Sequence, residues 1–181
     1  MGEWEGKGGV KQGVLDQLKR DLEHQIDSPG RLTFSAIYWA SATEEFSEKR
    51  KCVMLCPLEG TQSLVFALPD SVDSEMSLRF DPSDHDLETS TQTVIVEALR
   101  ASAGRDESGV DLMPALTGGE IGLTHQLGIV TQGDEVLLEI QGNDPWLVID
   151  LAPFGLPAGI VFERVEVRLR WGVNDSTVKA L

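Results

Sequence analysis

The sequence is poor in basic residues, histidine and long apolar runs. Its 181 residues contain 15 Lys and Arg but 30 Asp and Glu, which gives a formal net charge of −15. Nucleic acids and anionic membranes are bound through a basic face, so this charge argues against both partners. No apolar stretch approaches the ~20 residues that span a bilayer, and the first residues lack the basic and apolar regions of a signal peptide. We therefore expect a cytoplasmic protein without membrane insertion.

Cysteine is also scarce. The only two, Cys52 and Cys56, are four positions apart. In a strand that separation is ~13 Å, which is too long for a disulfide. We expect two small core residues in a reducing compartment, with a redox or metal pair as the alternative. No second Cys/His pair completes a zinc site.

Hydrophobic periodicity divides the chain into four parts. Residues 1–12 are rich in glycine and predict a flexible lead. Residues 13–27 place apolar side chains three or four positions apart and predict an amphipathic helix, which Ser28-Pro29-Gly30 ends. From residue 31 to residue 173 the period is two, as in strands, and residues 174–181 form a tail. The apolar stripe of the helix consists of Val14, Leu15, Leu18, Leu22 and Ile26.

The region 31–173 predicts an all-β fold. About nine strand-like runs occur between turn signals, and the last of them, Val161–Trp171, alternates apolar and charged residues most clearly. No helical pattern separates the runs, which excludes the crossovers of a βαβ fold. We therefore expect an antiparallel β-sandwich of jelly-roll type with one N-terminal helix. Residues 101–122 are expected to form a long loop or a small insertion.

Motifs of catalysis are lacking. The chain contains no Gly-x-Ser-x-Gly elbow, no Gly-x-x-x-x-Gly-Lys-Ser/Thr loop and no Gly-x-Gly-x-x-Gly fingerprint. The sequence does not exclude a pair of catalytic carboxylates of the glycosidase type among the 30 acidic residues, because such a pair is identified by the distance between the two groups in the fold. We expect an accessory module and not an enzyme.

One acidic cluster is a weak metal candidate. Asp81, Asp84 and Asp86 lie within six residues together with His85, and calcium prefers several oxygens from one turn. The spacing is not that of an EF-hand loop, so a turn with solvated acids is the preferred interpretation. No other cofactor is expected.

Four stretches in this order resemble a β-sandwich module, similar to a carbohydrate-binding module, that is appended to bacterial glycosyltransferases of surface-polysaccharide assembly. The first stretch has two parts, Ile37–Trp39 and Glu45–Glu48, and the other three are Leu64–Pro69, Leu78–Pro82 and Gly142–Trp146. The resemblance covers about residues 31–171 and implies a non-catalytic domain with a glycan as its partner. Such modules accompany a transferase domain, for which this length leaves no room. The chain is then an excised piece, with the 13–27 helix as connector, or a free-standing relative.

The candidate ligand-binding residues are Trp39, Glu45, Asp84 and Trp146. An exposed aromatic ring stacks on the apolar face of a sugar, and the carboxylates accept hydrogen bonds from hydroxyls. Tyr38 and Trp39 point to opposite sides of their strand, so one belongs to the core. For Trp146 a core position is the alternative. A second set, Arg79, Asp81 and Asp144, is assigned an architectural role, in which charge-assisted hydrogen bonds hold a turn to a neighbouring strand.

Two functions remain as hypotheses. The first is a carbohydrate-binding or substrate-positioning module of bacterial glycan biosynthesis, for neutral or cationic sugars because of the acidic charge. The second is a scaffold or oligomerisation module without a ligand. In the second, the stripe of the helix, including Leu18 and Leu22, and the sheet edges contact a partner such as a glycosyltransferase domain, or another copy of the chain.

Overall fold

Strands account for most of the residues that the computed structural model describes, which are 32–41, 43–83, 92–103, 109–118, 121–133, 135–155 and 160–172. These residues contain eleven strands, one short α-helix and one 3₁₀ turn. The strands are β1 (Leu32–Ser41), β2 (Lys51–Pro57), β3 (Gly60–Asp73), β4 (Met76–Asp81), β5 (Gln92–Ser102), β6 (Val110–Asp111), β7 (Ile121–His125), β8 (Leu127–Gln132), β9 (Glu135–Ile140), β10 (Trp146–Asp150) and β11 (Val161–Trp171). The helix is α1 (Met113–Gly118), and the 3₁₀ turn spans Ala152–Phe154.

The strands form two antiparallel sheets. The five-stranded sheet has the order β2-β1-β4-β10-β7. The six-stranded sheet has the order β3-β11-β5-β9-β8, with β6 paired to β5 beside this path. Buried apolar side chains from both sheets belong to one core cluster, so the chain is an all-β, sandwich-like fold. On β11 the alternation has the expected effect: Val165, Val167 and Leu169 are at most 1% exposed.

The described residues contain two strands more than the nine that the sequence predicts. Both additional strands, β6 and β7, begin inside residues 101–122, where a loop or insertion was expected. The helix α1 lies there as well, and it buries Ala115 and Leu116. The two residues of β6 and the six of α1 are too few to establish a strand or helix period, which explains why the sequence did not reveal these two elements. Among the described residues, no helix has the length and apolar character needed to cross a membrane.

Three predicted segments lie outside the described residues. They are the lead 1–12, the amphipathic helix 13–27 and the tail 174–181.

Both cysteines lie on β2, and both are free thiols. Their partners in register on β1 are Ile37 for Cys52 and Thr33 for Cys56, so both side chains point to the core face. Cys56 is 1% exposed, and its Sγ lies 3.3 Å from the Ser35 hydroxyl oxygen. Burial raises the pKa of both thiols. Such thiols are poor nucleophiles, which fits a packing role.

The strand β1 is buried on both faces. Every residue from Leu32 to Ala40 is at most 9% exposed. Ile37 and Trp39 belong to the core cluster, whereas Phe34, Ala36 and Tyr38 alternate with them and therefore lie on the outer face of the sheet. This outer face carries the candidate site.

Candidate functional site

Five side chains form a continuous row across the outer face of the five-stranded sheet, and each strand contributes one. The row consists of Lys51 on β2, Tyr38 on β1, Arg79 on β4, Trp146 on β10 and His125 on β7. The register places Tyr38 opposite both Lys51 and Arg79, and Trp146 opposite His125. Between β4 and β10 the partner of Arg79 is Val148, so Arg79 reaches Trp146 diagonally, two positions away on the same face. We call these five residues the stacked row.

Cations and aromatic rings alternate along the stacked row. The Arg79 Cζ atom lies 4.9 Å from the ring centroid of Tyr38 and 4.9 Å from that of Trp146. The Lys51 ammonium nitrogen lies 5.6 Å from the Tyr38 centroid. The rings of His125 and Trp146 stack with centroids 5.3 Å apart and an interplanar angle of 22°. A planar guanidinium suits a position between two rings, since it gains both cation–π attraction and contact area.

The position of Arg79 is determined further by two carboxylates. Its Nε and Nη2 donate to Oδ1 and Oδ2 of Asp81, each over 2.7 Å, and Nη2 lies 3.4 Å from Oδ1 of Asp144. We call this pair of hydrogen bonds between one guanidinium and one carboxylate the Arg79–Asp81 fork. The side chains of Arg79 and Asp81 are 20% and 8% exposed, so the fork is largely shielded from water. Burial acts to lower the pKa of Arg79, but the hydrogen bonds and the charge of Asp81 outweigh it and raise that pKa. Arg79 is therefore a permanent, oriented cation.

Next to Arg79 in the stacked row, Tyr38 is a neutral hydrogen-bond donor. Its hydroxyl donates to Oε1 of Glu48 over 3.3 Å, and Glu48 forms an ion pair with Lys51. Burial raises the pKa of Tyr38 above its ordinary value of 10.0, and the negative charges of Asp81 and Glu48 raise it further. The hydrogen bond from Lys51 lowers the pKa of Glu48, although partial burial opposes it. The phenol stays protonated at neutral pH, and the carboxylate stays ionised.

A pocket of about 460 Å³ opens beside the stacked row. Its volume falls within the ~300–1,000 Å³ typical of small-molecule sites. The lining residues are Phe34, Ala36, Tyr38, Glu48, Lys51, Val53, Arg79, Asp81, Ser83 and Asp144. Apolar side chains of β1 and β2 form one part of this lining, and charged side chains form the other. Ser83 is 1% exposed, and its hydroxyl has no hydrogen-bond partner among the described residues.

The segment before β10 places Asp144 at the pocket and Trp146 in the row. Gln126 has a left-handed backbone conformation with φ of 48°, and its side-chain Oε1 accepts a hydrogen bond from the Asp144 backbone N–H over 2.9 Å. The backbone carbonyl of Gln126 accepts from the Gln141 N–H over 2.9 Å. A Cβ at Gly142 would lie 2.1 Å from the Gln126 Oε1 atom. Glycine at this position therefore allows the Gln126 amide to reach Asp144.

The structure separates the predicted ligand-binding residues. Trp39 needs a correction, because its ring lies in the core at 1% exposure and is not available to stack on a sugar. Its neighbour Tyr38 is the aromatic residue on the outer face. Glu45 is exposed between β1 and β2 and does not line the pocket. Trp146 is part of the stacked row, and Asp84 lies outside the described residues.

The predicted architectural residues lie together at the pocket. Arg79, Asp81 and Asp144 are in contact, and all three line it. Of the calcium candidates, Asp84 and Asp86 lie outside the described residues, and Asp81 forms a fork with Arg79. Within the described ranges, no three His, Cys, Asp or Glu side chains are arranged to hold a metal ion.

Sequence reasoning missed Glu48, Lys51, Ser83 and His125 as members of this region. Nothing in their spacing distinguishes them from other polar residues. The row is assembled by pairing between strands that are far apart in the sequence, such as β1 with β4 and β10 with β7. One signal was present: Arg79 and Asp81 flank a core phenylalanine and must share a face.

Comparison with known proteins gives no relative. No family model, no curated protein and no solved structure is significantly similar to the chain.

Proposed function

We propose that this chain is a non-catalytic carbohydrate-binding or substrate-positioning module, and that the glycan binds in the outer-face pocket beside Arg79. The observation that carries the proposal is the mixed lining of this pocket. A sugar ring presents apolar C–H faces and polar hydroxyl edges, and the lining of this pocket offers a surface for each. Phe34, Ala36 and Val53 provide the apolar surface, while Glu48 and Asp144 provide acceptors for hydroxyls.

Recognition in this pocket depends on hydrogen bonds and not on ring stacking. Because β1 lies between β2 and β4, Lys51 and Arg79 approach the Tyr38 ring from its two sides. Trp146 is likewise flanked by Arg79 and His125. The rings hold the guanidinium in a fixed orientation, and hydrogen bonds that involve an ion are roughly twice as strong as neutral ones. The pocket is thus preorganised for polyhydroxyl ligands.

The chemistry of the lining supports a non-catalytic role. Neither histidine nor cysteine is among the described residues that line the pocket. Tyr38 holds its proton too tightly to act as a base at neutral pH. Both cations of the lining, Lys51 and Arg79, already form ion pairs with carboxylates. General acid–base catalysis requires a side chain whose pKa lies near the working pH.

The proposal includes a jelly-roll fold and a cytoplasmic role in bacterial polysaccharide assembly beside a glycosyltransferase domain, with residues 13–27 as the connecting helix. The order in which the chain connects the strands supports the jelly-roll fold. After the β1–β2 hairpin, the chain crosses between the sheets at β2–β3, β3–β4, β4–β5, β6–β7, β7–β8, β9–β10 and β10–β11. Repeated crossing of this kind is typical of two-sheet jelly rolls.

One observation favours a scaffold as the second candidate function. β7 is an edge strand, and its Leu123 is 65% exposed on the same sheet as the pocket. Unprotected edges with apolar side chains pair with other chains. Replacing Leu123 by Lys would then change the mass in solution, as would replacing Leu18 and Leu22 by Gln. A monomer in all forms removes this alternative.

The test of the carbohydrate proposal is a glycan-binding screen followed by two matched variants. Glu48→Gln removes a charge at the pocket, and Glu45→Gln removes one three residues away but outside it. We expect the first to weaken glycan binding about fivefold, since a hydrogen bond is worth ~1 kcal/mol, and the second to leave it unchanged. Equal effects of both variants, or no binding by folded wild-type protein, would contradict the proposal.

A further inference from the structure

Carboxylates outnumber cations among the described residues that line the pocket. Lys51 is paired with Glu48, and Arg79 is paired with both oxygens of Asp81. The fifth charged residue of the lining, Asp144, has a contact of only 3.4 Å to a guanidinium that Asp81 already neutralises. The Asp144 side chain is 61% exposed. The described lining therefore carries one carboxylate more than it has cations.

A second, independent feature is the buried hydroxyl of Ser83. This residue lines the same pocket at 1% exposure, and its Oγ has no hydrogen-bond partner within the described part of the chain. Buried polar groups in native proteins are almost always hydrogen-bonded, because the lost hydration is otherwise not replaced. A polar ligand group seated against Ser83 would supply the missing partner.

From these two features we infer that the pocket takes an amino sugar, whose ammonium group binds Asp144 and whose ring hydroxyl binds Ser83. This inference rests on the proposed carbohydrate function and adds the chemical class of the sugar. An ammonium is compact and carries three donors, so it satisfies an exposed carboxylate without displacing the Arg79–Asp81 fork. The net charge of −15 also attracts a cationic sugar in preference to a neutral or anionic one at longer range.

The same charges discriminate against acidic sugars. A uronate entering the pocket would place its carboxylate near Asp144 and Glu48, while both cations are already paired. Like charges brought together at a binding site are a common device for rejecting a wrong ligand. The expected order of affinity is amino sugar, then neutral sugar, then uronic acid.

The experiment is a titration of the ¹⁵N-labelled protein, followed by NMR, with four forms of each common hexose. The probes are the 2-amino sugars of glucose, galactose and mannose, their N-acetyl forms, the parent hexoses and the corresponding uronic acids. We expect the amine form to bind about two- to fivefold more tightly than its N-acetyl form, the range that an exposed ion pair supplies. High salt should reduce this ratio.

Two variants assign the preference to the named residues. Asp144→Asn should bring the amine and N-acetyl forms of each sugar to equal affinity, because it removes the charge that distinguishes them. Ser83→Ala should weaken all forms, and a chemical unfolding curve establishes that it is folded. Glu45→Gln removes the same charge outside the pocket and should preserve the ratio.

The outcomes separate this inference from the function on which it rests. Binding of the neutral sugars with no amine preference, or a preference that Asp144→Asn leaves intact, overturns the inference and keeps the carbohydrate function. Tighter binding of the uronic acid also overturns the inference. If no sugar of the set perturbs the spectrum of the folded protein, both are overturned.

Discussion

Arg79 and Asp81 stand two positions apart on β4 and bind each other through two hydrogen bonds of 2.7 Å. Adjacent positions of one face of a strand bring these side chains together without help from any loop. The rings of Tyr38 and Trp146 then hold the guanidinium from either side, at 4.9 Å each. A local pair within one strand is thus the centre of a contact network that spans five strands.

The first prediction concerns the geometry of this pair. In Arg79→Lys the positive charge is kept, but the two-pronged fork and the stacking between the rings are lost. We expect a loss of about 1.5–3 kcal/mol in the free energy of unfolding, the value of one hydrogen bond between charged groups. Urea unfolding measures it.

The matched control is Arg168→Lys on the outer face of the opposite sheet. The Arg168 side chain is 60% exposed in its ion pair with Glu97, so this change should alter stability by less than about 0.5 kcal/mol. Equal effects at both positions would show that the stacked row contributes nothing beyond an ordinary surface charge.

The second prediction uses the fact that Tyr38 is the only tyrosine of the chain. Absorbance of tyrosinate near 295 nm therefore reports on this residue alone. Burial, with the negative charges of Asp81 and Glu48, raises the pKa of Tyr38. In the folded protein the phenol should stay protonated at pH 11, whereas in denaturant it should titrate near its ordinary value of 10.0.

The same shift predicts the sign of a pH effect on stability. Because the folded state holds the proton more tightly, the contribution of Tyr38 is complete below pH 10 and is lost as the pH rises towards the folded pKa. Stability should fall above pH 10 in the wild type and less so in Tyr38→Phe. A normal tyrosinate titration in the folded protein would refute the burial of this hydroxyl.

The third prediction tests the core position of Trp39. Trp39→Ala removes a large side chain that is 1% exposed, and it should cost about 3–5 kcal/mol of stability. Thermal and urea unfolding measure the loss. A stable Trp39→Ala protein with impaired glycan binding would restore the sequence-based interpretation of this residue as a ligand contact.

The fourth prediction concerns Gly142. In Gly142→Ala the new Cβ displaces the Gln126 amide from the Asp144 N–H, at a cost of about 1–2 kcal/mol. The backbone resonances of Asp144 and Trp146 should shift in the NMR spectrum. Gly118→Ala is the matched control, because its Cβ meets nothing within 4 Å. Identical spectra for Gly142→Ala and the wild type would mean that this close approach is not present in solution.

The fifth prediction concerns the thiols. Cys56 is 1% exposed, and Cys52 is partly exposed. In the native protein a disulfide reagent should therefore modify Cys52 first and Cys56 only on unfolding, with both thiols counted in denaturant. Rapid reaction of both thiols in the native state would contradict the packing of β2.

Much of the fold could be predicted because its signal is local. The alternation in Val161–Trp171 identified a strand with one buried face, and Cys52 and Cys56 were correctly expected to share a face and remain unbridged. The strand β6 was missed because two residues do not establish a period. The strand β7 was missed as well, because the segment 101–122 in which it begins was interpreted as a loop or insertion.

The site was only partly predictable. Arg79, Asp81 and Trp146 could be named from the sequence, but Trp39 was chosen over Tyr38 as the outward ring. The alternation of a strand shows that adjacent residues point to opposite faces of the sheet, but it does not show which face packs against the core. That choice depends on which sheet packs against β1, and this is a property of the whole fold.

Composition and local pattern were sufficient to predict the β class, the existence of nine of the strands, the acidic charge and the shared face of Arg79 and Asp81. All of these follow from residues close together in the chain and from composition. The row from Lys51 to His125, the pocket beside it and the contact of Asp144 with Arg79 all depend on how distant strands pair in the folded chain. The physical reason is that Arg79 and Asp144 are 65 positions apart, and only the pairing of β4 with β10 brings such residues within contact distance.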